Sequence, residues 1–369
     1  MKITVLGAGA IGTAVAVDLA QDDRVDRVQV CEAQPVVLRS LRSAHAHPRL
    51  RTYEADARDL TSLEPIVSGS ACVVSCVGSE HSERLARFSL DLGAHFVDLG
   101  GDLDLDSLRE HADRRQRWVV TGAGLSPGLV GVLAMEGIES LDQTHAVRIR
   151  VGDVPMNPPE PFLHRLAHSA ERLLDDYTMP APVVRDGKLE TREPLTGLEA
   201  VEVDDFGVME AFYTGAGLGA LVEALEGRVQ RLSIKTLRYP GHAERMRFVL
   251  DLGLADRTSL DVRTHLTYRD VLVRRLRQRL GGAYDDAVLL RIEVDGVKDG
   301  EEGTIVYEMV DRCNLETGFS AMQRCTGYPA STAALILAER GLTGGGVGAA
   351  DQVLPRDVFL ARLAERGIV

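Results

Sequence analysis

Gly7-Ala8-Gly9-Ala10-Ile11-Gly12 follows the apolar run Ile3-Thr4-Val5-Leu6 and leads into apolar residues at helical spacing, Ile11, Ala14, Val15 and Leu19. Strand, glycine turn and helix together are the setting in which a G-x-G-x-x-G spacing holds a pyrophosphate. Gly7 permits the tight turn, Gly9 lets the backbone approach the phosphates, and Gly12 lets the helix pack closely on the strand. The helix start at Ala10 and Ile11 then offers free N–H groups and a partial positive charge to the anion. Twenty residues on, Val28-Gln29-Val30-Cys31-Glu32 reads as the next strand, ending in an acid. Glu32 can accept hydrogen bonds from a ribose 2′-hydroxyl and would repel a 2′-phosphate. The next residue is Ala33, not an arginine. The expected cofactor is therefore NAD rather than NADP.

A second chemistry-bearing stretch is Lys235-Thr236-Leu237-Arg238-Tyr239-Pro240-Gly241-His242. It continues a strand in which Leu232 and Ile234 share one face and Arg231, Ser233 and Lys235 the other. Pro240-Gly241 forces a turn that presents His242 beside Tyr239. Two cations, a phenol and an imidazole so close together can hold a carboxylate and offer a proton acceptor near neutral pH. A polar strand end with solvated charges fits the same spacing. Asp175-Asp176-Tyr177, before Met179-Pro180-Ala181-Pro182, reads either as part of a site or as an exposed loop held by Asx turns. The stretch 316–329 carries Arg324 and Thr326, which could touch substrate or cofactor or serve domain packing. Arginines at 269, 274, 275, 277 and 279 read as a solvated helix face. No Mg²⁺ or Zn²⁺ ligand spacing is present.

The elements that must position these residues follow from periodicity. Up to about residue 125, strands alternate with helices, as a doubly wound parallel sheet requires. A third strand is expected over 49–54, leading to Asp56, which could approach an adenine or be an ordinary loop acid. The near-continuous apolar run 71–77 reads as a strand buried on both faces, followed by a helix over 80–92. A strand over 95–99, a helix over 104–115 and a strand over 118–121 complete the pattern. Ligands bind at the carboxyl ends of such strands, which selects Gly7–Gly12, Val77-Gly78-Ser79, Asp98–Gly101 and Gly122-Ala123-Gly124. Ser126 is expected to cap the next helix with Pro127 at its first position, both near the cofactor.

Beyond this helix the period changes. Val147, Ile149 and Val151 alternate with Arg148 and Arg150, and similar half-buried runs occur near 229–237, 246–252, 288–294 and 304–310. The expected fold class is α/β, a Rossmann doubly wound parallel sheet (1–125) with an inserted α/β substrate domain on a mostly antiparallel sheet (126–320). The Pro-rich stretch 155–161 is expected to be an ordered loop over the cleft. Helices over 330–341 and 357–366, in the terminal region 321–369, are expected to return to the first domain, with Gly344–Gly346 a flexible connection.

Composition narrows the function classes. A net charge of −13, with acids dispersed along the chain, argues against nucleic-acid and anionic-membrane partners. Apolar runs fall short of the roughly 18–20 residues needed to span a bilayer, and a strand beginning at Ile3 leaves no room for a signal peptide. Five cysteines without a C-x-x-C spacing fit buried thiols in a reducing cytoplasm.

Six pieces resemble the saccharopine dehydrogenase-like family: GAGAIG (7–12), VDLGGD (97–102), GLSPGL (124–129), DDYTMPAPVVRDGK (175–188), KTLRYPGH (235–242) and ETGFSAMQRCTGYPAS (316–331). Within it they look most like the lysine 6-dehydrogenase branch. The resemblance implies a homodimer and NAD-dependent oxidative deamination of a small amino acid, L-lysine at its 6-amino group. It leaves saccharopine dehydrogenase or reductase and carboxynorspermidine-type C–N oxidoreductase as alternatives. A non-enzymatic dinucleotide sensor is a third. For the lysine reaction, His242 or Lys235 would be the base, and Asp98, at a strand end, a further catalytic candidate. Arg238 would hold the α-carboxylate, supported by Tyr239 or Tyr177.

Overall fold

The structure is a computed structural model that describes all residues except 101–104, 168, 216–218, 262–264, 283–284, 340 and 369. It divides into two compact units, Met1–Glu136 with Gln323–Val369, and Gly137–Met322.

In the first unit, β1 (Lys2–Leu6), β2 (Arg27–Glu32), β3 (Leu50–Glu54), β4 (Cys72–Ser75), β5 (His95–Asp98) and β6 (Trp118–Thr121) alternate with helices. They run parallel in the order β6-β5-β4-β1-β2-β3. Chain direction across the sheet reverses between β1 and β4, which opens the ligand crevice at their carboxyl ends. All four residues of β4 are buried, as a strand covered on both faces must be. One core cluster around it joins Leu6, Val73, Leu85, Leu90, Phe96 and Val119.

The second unit carries β7 (Gln143–Pro155), β8 (Ala181–Arg185), β9 (Lys188–Arg192), β10 (Glu199–Val203), β11 (Gly207–Tyr213), β12 (Arg231–Arg238), β13 (Asp286–Lys298) and β14 (Glu301–Arg312). Their order is β10-β11-β12-β7-β13-β14, with β8 beside β12 and β9 beside β8. Among the described residues only β7 and β12 pair in parallel, so the sheet is mostly antiparallel. A cluster built from Leu173, Leu174, Tyr177, Phe212, Met246 and Leu276 holds the helices Ala170–Thr178, His242–Asp251 and Tyr268–Leu280 together with the sheet. On β7, Arg148 and Arg150 are paired with acids, Arg148 with Glu293 and Asp295 and Arg150 with Glu199 and Glu293. The chain ends in the first unit, where β15 (Gly346–Ala349) pairs in parallel with β6 and the helix Arg356–Glu365 follows.

Several local expectations are corrected. Residues 246–252 are not a strand but mostly belong to the helix His242–Asp251, which buries Ala243 and Met246 one turn apart and leaves Phe248 and Leu252 exposed. Ser126 and Pro127 do not start a helix. Gly124 N–H bonds to the Pro127 carbonyl, a cis peptide joins Ser126 to Pro127, and the helix begins at Leu129. The helix expected from 330 starts at Ala321, because the distant Asp286 carboxylate accepts the amides of Ala321 and Met322. Gly346 is strand rather than flexible connection. Arg269 leaves the solvated face and is buried against Asp175 at 2.6 Å. Asp175–Tyr177 is helical, not a loop.

Candidate functional site

At the first crevice the glycines are required by geometry. A Cβ on Gly12 would stand 2.0 Å from the Gly7 carbonyl oxygen, and one on Gly7, where φ is +91°, 2.9 Å from the Cys76 carbonyl oxygen. Around Gly9, by contrast, the space a Cβ would enter is open to 4 Å. The helix Ala10–Gln21 that starts there has no side-chain cap, so its first amides are available to an anion. Val77 lies against Gly7, and Gly78 beyond it is exposed. Glu32, at the end of β2, accepts the Ala8 amide with one oxygen and the Gln34 amide with the other, both at 2.9 Å. Its carboxylate is thereby fixed beside the glycine turn. These groups fit a dinucleotide: open amides for the pyrophosphate and an acid for the ribose.

The other first-unit candidates have structural partners. Asp98 is buried and accepts from Ser82 Oγ at 2.6 Å and from Gly100 N at 2.9 Å, closing the end of β5. Gly101, expected beside it, and Asp102 of the same motif lie outside the described residues. Asp56 is paired with Arg58 at 2.7 Å. Ser126 and Pro127 are half-buried in their turn. Arg324 is buried, donating to the Gly367 carbonyl at 3.1 Å, and the Thr326 methyl packs near Gly124. Gln323 Nε2 donates to the Ala10 carbonyl at 3.0 Å, and Gly327 backs onto Ala14. The segment around Arg324 thus braces the helix that carries the glycine turn.

In the second unit, strand alternation divides the Lys235–His242 stretch. Side chains three apart on a strand point to opposite faces. Lys235 therefore sits with Arg150, bonded to Glu199 at 3.0 Å and to the Gly197 carbonyl at 2.6 Å, with its ammonium over the Tyr213 ring. Arg238 lies on the other face, 3.3 Å from Asp153. Register aligns Glu210 with Arg238 and aligns Asp153, Val288 and Asp311 across β7, β13 and β14. One polar row, Glu210, Arg238, Asp153 and Asp311, thus crosses five strands with Val288 as its apolar member. Asp286 at the start of β13 is close enough to Asp153 to disfavour its own ionisation further.

Above Arg238 a hydrogen-bonded chain fixes the protons. His242 Nδ1–H donates to the Phe162 carbonyl at 2.6 Å, which leaves Nε2 to accept the Tyr177 hydroxyl at 2.8 Å. Arg238 Nε donates to the same phenol oxygen at 3.3 Å. His242 has no exposed surface, and burial, helped by Arg238, pushes its pKa down to about 3. Burial pushes the Tyr177 hydroxyl up to about 12. Asp176 is also pushed up by burial, to about 6, against the pull of Arg172 and Arg238. Tyr239 is turned away, its hydroxyl donating to the Pro155 carbonyl at 3.0 Å.

The structure thus brings Arg238, Tyr177 and His242 together and separates Lys235 and Tyr239 from them. Both nitrogens of His242 are engaged, and Lys235 is held by an acid; neither is placed as an open base. Sequence reasoning missed Asp153, Glu210 and Asp311. Asp153 left one signal, an acid in phase with the apolar positions Val147, Ile149 and Val151.

Comparison with known proteins gives two family-model matches. The saccharopine dehydrogenase NADP binding domain matches residues 3–120, and the saccharopine dehydrogenase C-terminal domain matches residues 124–368. Among solved structures, saccharopine dehydrogenase (L-Glu forming) from Saccharomyces cerevisiae is 17% identical with a TM-score of 0.84, covering 100% of this chain and 98% of that one. Homospermidine synthase from Legionella pneumophila, in complex with NAD, is 11% identical with a TM-score of 0.67, covering 98% and 89%. At these identities the likeness to both structures is one of fold.

Proposed function

The chain belongs to the saccharopine dehydrogenase family, a nicotinamide-dinucleotide-dependent amino-acid oxidoreductase, and from that premise we propose that it deaminates L-lysine oxidatively at C6 with NAD⁺. L-Lysine, NAD⁺ and water would give the 6-semialdehyde, ammonia, NADH and a proton, the semialdehyde closing to a cyclic imine. The observation that carries the reading is the surplus of acid at one end of the second sheet. Asp153, Asp176 and Glu210 lie about Arg238, Asp286 stands near Asp153, Asp311 continues the same row on β14, and Arg172 is beside Asp176. Such a field suits a substrate with two amino groups and one carboxylate better than one with three carboxylates.

When bound, the nicotinamide accepts the hydride; the protein supplies position and proton transfer. The ε-ammonium must lose a proton first, since a positive nitrogen opposes hydride departure. With both His242 nitrogens engaged and Lys235 on the sheet's other face, Asp176, itself paired with Arg172 at 3.1 Å, is the acceptor this reading selects, its carboxyl pushed up to about 6 by burial. Tyr177 and His242 hold Arg238 and the helix that carries Asp176. Glu32 selects NAD⁺, although the family's domain is described as NADP-binding: a carboxylate beside the ribose accepts its hydroxyls and repels a 2′-phosphate. Glu32→Gln should narrow the preference for NAD⁺ over NADP⁺ by tenfold or more, on the order of one lost charge repulsion, in kcat/KM for both cofactors.

The first experiment is NADH formation at alkaline pH with L-lysine, ornithine, 2,4-diaminobutyrate and saccharopine. NADH with released ammonia from lysine alone supports the proposal. Turnover of saccharopine alone moves the chain to that alternative. Cofactor binding without turnover of any amine would point to a dinucleotide sensor. Homodimerisation is proposed on the family resemblance, and light scattering should return twice the 40.1 kDa chain mass.

A further inference from the structure

At the amino ends of the first sheet's strands, opposite the glycine turn, lies an open cavity of about 700 Å³. Backbone bonds set its floor in a row. The Ala71 amide donates to the Lys2 carbonyl at 2.8 Å, the His95 amide to Ala71 at 3.0 Å, and the Gly346 amide to Arg117 at 3.1 Å. Lys2, His95 and Arg117 line the cavity with Gln116 and Thr343, and among the described residues no carboxylate lines it. The chain as a whole carries a net charge of −13, so an acid-free, cation-lined cavity runs against its general character.

The donors are held in place. Arg117 Nε donates to the Gly93 carbonyl at 2.5 Å and Nη1 to the Gln116 carbonyl at 2.8 Å, which clamps the guanidinium. Its Nη2 has no partner among the described residues. His95 Nδ1 accepts the Trp118 amide at 2.9 Å, so the neutral ring carries its proton on Nε2 and is a donor there. Burial and Arg117 push the His95 pKa down to about 4, so this ring is a neutral donor at pH 7. Lys2 Nζ spends one proton on the Ser68 carbonyl at 2.6 Å and keeps two.

We propose that this cavity binds a small anion with two separated charged groups, a polycarboxylate or a phosphate compound. Lys2 on β1 and Arg117 before β6 are three strands apart, on the order of 14 Å at the backbone, since neighbouring strands lie about 4.8 Å apart. A two-ended anion reaches both cations, with His95 Nε2 donating between them; a monoanion reaches one. The site is independent of the lysine reading, and none of its residues belongs to the cofactor crevice.

Calorimetry tests this on the NAD⁺-saturated protein at constant ionic strength, which keeps pyrophosphate out of the dinucleotide site and removes bulk screening. The probes are citrate, glutarate, pyrophosphate and inorganic phosphate. Citrate and glutarate on one side and pyrophosphate on the other separate the carboxylate from the phosphate class. The expected result is one-to-one binding of at least one two-ended probe, tighter than inorganic phosphate. Arg117→Gln and Lys2→Gln should each weaken it by about tenfold, the loss of a charge-assisted bond, with NADH affinity unchanged. Lys2→Gln removes no buried contact and keeps the test open if Arg117→Gln folds poorly. The proposal fails if no probe binds at about 10 mM, a free energy of under roughly 3 kcal/mol. It also fails if Lys2→Gln binds the probe as the wild type does.

Discussion

Burial sets the protonation of the groups that meet at Tyr177, and the sign of each shift yields a pH dependence. The folded pKa of His242 is about 3, below the unfolded value of about 6.5. Between those values only the unfolded chain binds the extra proton. The contribution of His242 is therefore complete above about pH 6.5 and lost as pH falls through the window, by at most about 1.4 kcal/mol per pH unit. Asp176, raised to about 6, works in the opposite sense, because the folded state holds its proton and loses that advantage as pH rises towards 6. The stability gap between wild type and His242→Gln removes the Asp176 effect, which both proteins share. Urea titrations should show that gap narrowing from pH 6.5 to pH 5; a constant gap would refute a neutral buried His242.

At the scale of elements, Glu210 on β11 joins two structures. Its carboxylate accepts the Gly241 amide at 2.9 Å and the Ala243 amide at 2.7 Å, capping the helix His242–Asp251, and in register it faces Arg238. Glu210→Ala should cost about 1–2 kcal/mol, the range for a lost N-terminal cap, read as a lower urea midpoint with an unchanged slope. It should also lower kcat/KM, because the turn that seats His242 under Tyr177 loses its anchor. Strand alternation makes a contrasting prediction. Lys235 faces Glu199 across the sheet from Arg238, so Lys235→Met should lower stability but leave kcat near the wild-type value. Asp176→Asn should do the reverse. A large loss of kcat in Lys235→Met would restore Lys235 as the base.

For the molecule as a whole, the chain's end is part of the first unit's foundation. Arg366 donates to both oxygens of Asp18 at 2.9 and 3.0 Å, and Asp18 is 7% exposed. Ser331 bonds the same carboxylate, and Arg366 reaches Asp22 at 3.3 Å. Residues more than 340 positions apart in sequence therefore share one buried ion pair, on the helix that begins at the glycine turn. Removing one partner of such a pair strands the other charge, so Arg366→Ala should cost about 3 kcal/mol or more. Differential scanning calorimetry should place that loss in the transition that NAD⁺ stabilises. An unchanged transition would show the pair to be dispensable. Among the described residues no helix is long and apolar enough to cross a membrane.

The sequence by itself determined the features that depend on near neighbours. A glycine turn needs only its own strand and helix, so GAGAIG, the acid at Glu32 and the alternation of strands and helices through residue 121 were legible. Apolar period also marked β7, β12, β13 and β14. Tertiary structure decided the rest, because the partners are remote. Residues 246–252 read as strand until the helix-facing core claimed Ala243 and Met246. The helix beginning at Ala321 takes its start from Asp286, 35 residues earlier. The polar row exists only once β11, β12, β7, β13 and β14 are in register, which sets Glu210, Asp153 and Asp311 in line with Arg238. Burial then decided what single residues could do: the imidazole that looked like an open base is enclosed and neutral, and the lysine beside it in sequence lies on the sheet's other face.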